Sequence, residues 1–380
     1  MAPEGIGDRM SRIQELFFFL LKRGLWGDKQ TPDEGLFPAT SSEWMLLYRL
    51  SRKHTVQGIV YDGICTLPVG CQPPKMLLIQ WAVEIDKWER INHHQQQMLC
   101  RIQMLFNQAP AIPFELIKGL AISCYYPNPL HRVCGDLDLY FCGKEGVEAA
   151  NKRIEQTGVC VELGNSDDSS YTVNGTYVEQ HPRLIELHNP FIQKELQQWE
   201  KQVFGTGAPE QRPVYFGIPI CVPTPVAHQM LVSTHILKHL LNEGIGLRQL
   251  CDAAILLKAQ VSVLDKEELE KRCHQFGIYR WSKLLYALLV KYIGLPAEYL
   301  PFPTDENPDT LMEEVWESGN FGFYDERKAA RPDGKWKNKW YTVKQISRKA
   351  KLFFLYAPGE TFWWPVSLSG VRLKELIQGK

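Results

Sequence analysis

The chain has 380 residues, of which 44% are hydrophobic and 23% charged, a composition typical of a globular protein. Lysine plus arginine and aspartate plus glutamate each number 43, so the formal net charge is zero. This balance argues against a protein whose whole surface binds nucleic acid, because such domains are usually basic overall. The composition also excludes a disordered chain, a collagen and a polytopic membrane protein.

The start of the chain predicts a cytoplasmic protein. Glu4 and Asp8 stand where a secretory signal would be basic, and the apolar run from Phe17 to Leu21 is too short for a signal core or a membrane span. The ten cysteines are scattered singly and form no CxxC pair, which argues against a zinc ribbon or a thioredoxin-like motif. We interpret them as free, buried thiols.

Residues 10–108 show the apolar spacing of helices. Ser41 or Ser42 is predicted to cap the start of one helix, and a long helix is expected from about Lys75 to Asn107. The pattern of this region therefore predicts a helical N-terminal part.

From Pro110 onward short apolar runs predict a small mixed sheet. The Asn174-Gly175 pair is a strong signal for a hairpin turn, and Glu145 to Gln156 predicts an amphipathic helix. The predicted strands are 112–117, 136–141, 159–162, 171–178 and 183–188.

The rest of the chain is predicted to be helical again. Thr224 followed by Pro225 indicates a helix start, and further helices are expected near 247–259, 265–275 and 279–292. We therefore predict an α+β fold in which helical regions flank a small mixed β-sheet core. The predicted divisions are an N-terminal helical region (1–108), an α/β core (109–222), a C-terminal helical region (223–300) and a basic, aromatic-rich tail region (301–380).

Two acids on the strand 136–141 carry the main chemical signal. Successive side chains of a strand point to opposite faces, so Asp136 and Asp138 share one face. Paired carboxylates repel each other unless a cation lies between them, and Mg²⁺ takes one or two carboxylates together with phosphate oxygens. A solvated strand edge with two acids is the alternative interpretation of an isolated Asp-x-Asp.

Neighbouring residues favour a metal and phosphate site. Lys118-Gly119 ends the preceding strand, where glycine lets the backbone approach a phosphate, and Arg132 lies four residues before Asp136. Glu186 on the predicted strand 183–188 would supply a third carboxylate. Three carboxylates on two adjacent strands can hold divalent ions and align a hydroxyl with a phosphorus atom.

This order of motifs resembles the DNA polymerase beta-like nucleotidyltransferase superfamily, and more closely a bacterial family described as uncharacterised nucleotidyltransferases. The similar segments lie within residues 12–260 and read KRGLWGDK, KGLA…YYPNPLHR…GDLDLYF, LIELH and HILKHLLNEGIGLRQLCDAAILL. The resemblance implies a mixed-sheet catalytic core that uses Mg²⁺ or Mn²⁺ to transfer a nucleoside monophosphate from a nucleoside triphosphate to a hydroxyl acceptor.

Carried over by motif, Asp136 and Asp138 match the paired metal-binding, catalytic acids, and Glu186 is the best match for the third. Lys118 and Gly119 match the phosphate-cradling motif, although the usual Gly-Ser or Gly-Gly pair is Gly119-Leu120 here. The other residues assigned to nucleotide binding are Arg132, His188, His235 and Arg248.

Several alternatives stay open at this level. His235 and His239 are spaced for one shared metal or for a place in the core. The segment from Arg327 to Lys351 contains ten basic residues and one acidic residue, with aromatic residues interleaved. This pattern is compatible with binding to nucleic acid, with binding to a membrane surface, or with a solvated helix that packs on the body of the protein. The acceptor would be a small molecule, a protein or RNA. The competing functions are a non-catalytic nucleotidyltransferase-like protein of a toxin–antitoxin or modification system, and an Asp-x-Asp glycosyltransferase.

Overall fold

The computed structural model describes residues 11–28, 35–164, 167–325 and 335–377, without the side chains of 335–339, 342 and 368–377. Helices form most of this part of the chain and surround a small sheet, which confirms the predicted α+β fold. The helices are α1 (Arg12–Trp26), α2 (Ser41–Lys53), α3 (Gln57–Cys65), α4 (Lys75–Phe106), α5 (Leu120–Ser123), α6 (Lys144–Glu155), α7 (Gln193–Val203), α8 (Pro225–Asn242), α9 (Leu247–Gln260), α10 (Lys266–Gln275), α11 (Tyr279–Leu288), α12 (Asp309–Ser318), α13 (Lys335–Phe353) and α14 (Pro358–Ile377).

The main sheet has five strands in the order β1-β2-β5-β4-β3. Its central strands β2 and β5 are parallel, and the other pairs are antiparallel. A separate two-stranded ribbon joins β6 and β7. The strands are β1 (Glu115–Leu116), β2 (Leu137–Tyr140), β3 (Glu162–Leu163), β4 (Ser169–Val173), β5 (Thr176–His181), β6 (Val214–Tyr215) and β7 (Ile218–Pro219).

The turn between β4 and β5 determines the register of the sheet. Asn174 and Gly175 both have positive φ, 48° and 78°, as a two-residue hairpin turn of this kind requires, and the predicted hairpin is confirmed. Because the turn is tight, Val173 pairs with Thr176 and the strand continues to His181. Because of this extension, the last four residues of β5 pair with the whole length of β2.

The prediction of a strand over residues 183–188 is wrong. The main chain of this segment binds side chains of helices instead of a neighbouring strand, so no ladder forms. The Ile185 N–H donates to the Glu200 carboxylate of α7 at 2.7 Å, and the Leu187 carbonyl accepts from the Gln193 side-chain amide at 2.6 Å. The third acid predicted from this strand, Glu186, therefore lies after the sheet and not within it.

Two hydrophobic cores meet along the long helix α4. The first half of α4 contributes Trp81 to a core shared by the N-terminal helices and by α8, α9 and α11, with Phe17 and Trp281 fully buried in it. The second half contributes Phe106 to the core behind the sheet, where it contacts Phe141. The helical regions at the two ends of the sequence thus share one core, and the four predicted divisions stay a prediction.

Capping residues and cysteines partly match the sequence analysis. Thr224 accepts from the Ala227 N–H at the start of α8, as predicted, whereas α2 is capped by Thr40 and not by Ser41 or Ser42. All ten cysteines are unpaired thiols, but Cys65 and Cys160 are exposed and not buried.

The tail region contributes α13 and α14 to the body of the molecule. Phe353 and Trp364 are buried, whereas Phe354 and Phe362 are exposed, so part of its aromatic face packs on the helical core. In the basic stretch from Arg327 to Lys351, residues 327–334 and the side chains of 335–339 lie outside the described part of the chain. Among the described helices, none combines the length and the apolar character needed to cross a membrane.

Candidate active site

A cavity of about 230 Å³ lies between the sheet and helices α8 and α9. Asp138 of β2 and Asp136, directly before β2, contribute to it, and His235 lies on the opposite wall. The residues around the cavity are Lys118, Gly119, Ile122, Arg132, Asp136, Asp138, Glu179, Val232, His235, Ile236, His239, Arg248, Gln249, Asp252 and Phe321.

Asp138 is a buried anion held between two cations. Its side chain is 4% exposed, and Oδ1 accepts from Lys118 Nζ at 2.6 Å and from His181 Nε2 at 2.9 Å. Burial alone would raise the pKa of Asp138, but the two cations hold it well below its ordinary value. Burial would lower the pKa of His181, but its hydrogen bonds to Asp138 and Asp168 raise it to about 9. His181 is therefore protonated at neutral pH in the metal-free protein.

Two further carboxylates crowd the same end of the cavity. Glu179 is the cross-strand neighbour of Asp138, because the parallel register of β2 and β5 pairs these positions. Burial, and next the charge of Asp138, raise the pKa values of both Asp136 and Glu179. Acids that raise each other's pKa form a cluster that a bound cation would stabilise.

The donor set fits a divalent cation. Asp138, Glu179 and His181 each offer one ligand atom, and these atoms lie within 4.8 Å of one another. Carboxylate oxygens suit both Mg²⁺ and Mn²⁺. Asp136 adds a partly buried carboxylate to the same cavity, although it is not in this group of three.

Two arginines, the buried Arg132 and the partly buried Arg248, form the basic side of the cavity. Arg132 binds Asp252 in a bidentate pair, with Nε and Nη2 at 3.1 and 2.6 Å from the two carboxylate oxygens. Arg248 donates from Nη1 to the Val133 carbonyl at 2.7 Å, and its Nε is buried without a partner. Within the part of the chain that the structure describes, no carboxylate lies at ion-pair distance from Arg248. Arg248 is therefore a cation with donors left for an anionic ligand.

Glycine is required at position 119 for conformational reasons. Gly119 has φ 54° and ψ −107°, a region that side chains with a β-carbon disfavour, and it lies against the cavity. The next residue, Leu120, is fully buried in the core behind the sheet. The side chain that replaces the usual Ser or Gly thus packs in the interior and does not line the cavity.

Comparison with known families agrees with this geometry. Residues 40–294, more than half of the chain, match the model of a family described as uncharacterised nucleotidyltransferase. The chain belongs to this nucleotidyltransferase family. No curated protein and no solved structure matched the chain. The matched region of the nucleotidyltransferase contains the carboxylate cluster, both cavity arginines and His235.

Most of the residues predicted for the nucleotidyltransferase site line the one cavity. They are Lys118, Gly119, Arg132, Asp136, Asp138, His235 and Arg248.

Glu186 and His188 lie elsewhere. Glu186 forms an ion pair with Lys238 in a smaller neighbouring cavity, and His188 Nδ1 lies 3.0 Å from the Glu360 carboxylate of α14. The group of candidate metal ligands does not include Glu186.

Sequence reasoning missed four residues of the site. Glu179 and His181 follow the Asn174-Gly175 turn with the alternation of a strand, which is a signal that the sequence does contain. Gln249 and Phe321 carried no such signal, because the folding of α9 and of the chain after α12 brings them to the cavity.

Proposed function

We propose that this nucleotidyltransferase is a metal-dependent enzyme that transfers a nucleoside monophosphate from a nucleoside triphosphate to a hydroxyl acceptor. The observation that supports this most is the pairing of Asp138 with Glu179 on parallel strands, in a cavity that also holds Lys118 and the unpaired Nε of Arg248. Acids at one end and buried cations around them suit a triphosphate with its metal. Membership of the DNA polymerase beta-like superfamily belongs to the same proposal.

Asp136, Asp138 and Glu179 would hold the ion in this proposal, with His181 beside them. A bound Mg²⁺ or Mn²⁺ supplies positive charge that stabilises phosphate oxygens in the transition state. In the metal-free protein the Lys118 ammonium neutralises Asp138, and it lies near enough to contact a phosphate bound in the same cavity.

The chain's own groups account for the transfer. Arg248 donates to the triphosphate from its free Nε. Glu179, whose pKa is raised by burial, accepts the proton of the acceptor hydroxyl. The hydroxyl oxygen forms a bond to the α-phosphorus, the bond from that phosphorus to the bridging oxygen breaks, and pyrophosphate leaves. The acceptor is proposed only as a hydroxyl of a small molecule, a protein or RNA.

A second candidate function is binding without catalysis. One observation in its favour is that Lys118 and His181 already neutralise Asp138. A second is that the buried Leu120 follows Gly119 in place of the usual small residue. A glycosyltransferase is disfavoured, because such folds place a nucleotide-binding α/β half before the Asp-x-Asp, whereas α1 to α4 precede it here.

Metal-dependent nucleotide binding by two glutamate variants tests the site. We expect Glu179→Gln to weaken binding of nucleoside triphosphates in the presence of Mn²⁺ by at least about tenfold, because it removes a charged ligand. Glu186→Gln is the matched control, and we expect its affinity to stay within about twofold of wild type. Isothermal titration calorimetry with each of the four triphosphates, with and without Mn²⁺, measures both.

If Glu186→Gln weakens triphosphate binding and Glu179→Gln leaves it unchanged, Glu186 and not Glu179 is the third acid. Binding by the wild type that is strong but equal with and without metal would favour the non-catalytic function. Incubation with α-labelled triphosphates and a cell extract, followed by identification of the labelled species, then identifies the acceptor.

A further inference from the structure

One aromatic side chain lines the cavity from outside the family-matched region. Phe321 lies in the short turn Asn320–Gly322 that follows α12, whereas the family match ends at residue 294. The segment that carries it therefore adds to the nucleotidyltransferase core a feature that the match does not cover.

The backbone holds Phe321 in an unfavourable conformation. Its φ of 51° and ψ of 22° lie in the left-handed region, which residues with a β-carbon seldom adopt. Gly319 and Gly322 on either side also have positive φ, so the turn is built to reverse the chain at this point. Such a conformation persists where the surroundings impose it and is frequent at ligand sites. The result is a half-exposed ring on the cavity wall.

A row of rings connects Phe321 to the carboxylate end. The ring centroids of His235 and His239 lie 4.3 Å apart, and those of His239 and Phe321 lie 5.1 Å apart. His235 is close enough to Lys118 and Asp138 for their charges to act on it. Phe321 thus lies two ring contacts away from His235, on the side where the base of a triphosphate would extend if its phosphates lay at Asp138.

A buried acceptor lies beside the same wall. Gln249 is 6% exposed and lines the cavity, and its buried Oε1 has no hydrogen-bond partner among the described residues. Its Nε2 lies 3.5 Å from the Asn320 side-chain oxygen, on the turn that carries Phe321. An unpartnered buried oxygen is costly unless a ligand supplies a donor. A nucleobase offers both an N–H donor at its edge and a flat face for stacking.

We propose that Phe321 stacks on the nucleobase of the bound triphosphate and that Gln249 Oε1 accepts a hydrogen bond from the base edge. The inference rests on the proposed function, because it assumes that the triphosphate binds at the carboxylate end. It adds a nucleoside-recognition role for a turn that lies outside the family-matched region.

Comparison of a nucleotide with a base-free triphosphate tests the proposal. Calorimetry with Mn²⁺ measures the affinity of the full chain for ATP, GTP, CTP and UTP, and for inorganic tripolyphosphate. We expect Phe321→Ala to bind its preferred nucleotide about tenfold more weakly, the scale of one lost stacking contact, with tripolyphosphate affinity unchanged. Phe321→Trp should retain nucleotide affinity, and Gln249→Leu should weaken only the nucleotide.

Phe191→Ala is the control, because Phe191 is also a phenylalanine, is 80% exposed and does not line the cavity. Its affinities should equal those of wild type. If Phe321→Ala weakens nucleotide and tripolyphosphate equally, or neither, the stacking role is refuted. If wild type binds neither probe, the proposed function itself fails, and this outcome is distinct from the first.

Discussion

The two arginines of the cavity have different electrostatic surroundings. Arg132 and Asp252 neutralise each other through two hydrogen bonds, and the Tyr126 hydroxyl donates to the same carboxylate at 2.7 Å. Arg248 has only a backbone carbonyl and a buried Nε without a partner. The two arginines therefore have different roles. Arg132 stabilises the cavity wall, and Arg248 is available to bind a ligand.

This contrast predicts two different outcomes for the same substitution. Arg132→Met should lower the free energy of unfolding by about 3 kcal/mol, because it leaves the Asp252 charge buried and unpaired. Arg248→Met should change it by less than about 1 kcal/mol, because the removed charge has no carboxylate partner. Urea unfolding measures both variants.

Calorimetry completes the comparison. Arg248→Met should weaken triphosphate binding about tenfold, the scale of one lost charge-assisted hydrogen bond. Equal destabilisation by the two substitutions, or unchanged triphosphate binding by Arg248→Met, would contradict the assignment of their roles.

At the residue scale, local signals account for part of the site. Asp136 and Asp138 are identifiable because alternation on one strand places them together, and Lys118 and Gly119 because they end the strand before it. Glu179 could have been found by extending the strand after the Asn174-Gly175 turn. The pairing of Glu179 with Asp138 could not have been predicted, because this pairing depends on a parallel register between strands that are distant in sequence.

At the element scale, the contact between α1 and α3 depends on glycine. A β-carbon on Gly24 would lie 1.8 Å from the Ile59 carbonyl oxygen, and one on Gly63 would lie 2.2 Å from the Leu20 carbonyl oxygen. The two helix backbones are therefore in direct contact. Only glycine on both sides allows α1 to bury its apolar face against α3.

This packing predicts that Gly63→Ala destabilises the protein by about 2 kcal/mol through overpacking. Helix propensity alone would favour alanine by about 1 kcal/mol, so a net loss identifies the clash. Gly70→Ala is the control, because its β-carbon would meet no atom within 4 Å. Thermal or urea unfolding of both variants checks this, and a stabilised Gly63→Ala protein would show that the helices separate easily.

Secondary-structure elements could be predicted where the apolar spacing extends over many residues. They could not be predicted where side chains bind the main chain in place of a neighbouring strand. Helices α8 to α11 and the β4–β5 hairpin follow from apolar spacing and turn chemistry. The segment 183–188 alternates like a strand, yet Glu200 and Gln193 bind its main chain. Those partners come from α7, later in the sequence, so local alternation could not reveal them.

At the scale of the whole molecule, the zero net charge is an average over local imbalance. Asp136, Asp138 and Glu179 concentrate negative charge at one end of a cavity, and Lys118 and Arg248 place positive charge beside them. The overall sum could exclude a uniformly basic protein, but only folding shows where the opposite charges meet. The helical core likewise joins segments that are distant in sequence, as the Trp26 indole donates to the Ile293 carbonyl at 2.8 Å.

The central claim is that one cavity binds a divalent ion and a triphosphate together, with Glu179 as the third acid. A crystal structure of the protein with Mn²⁺ and a non-hydrolysable nucleoside triphosphate analogue, with anomalous data for manganese, tests it most directly. We predict an anomalous peak at about 2.0–2.6 Å from carboxylate oxygens of Asp138 and Glu179, with a phosphate oxygen as a further ligand. A manganese ion bound at Glu186, or a triphosphate bound away from Asp138, would contradict the account.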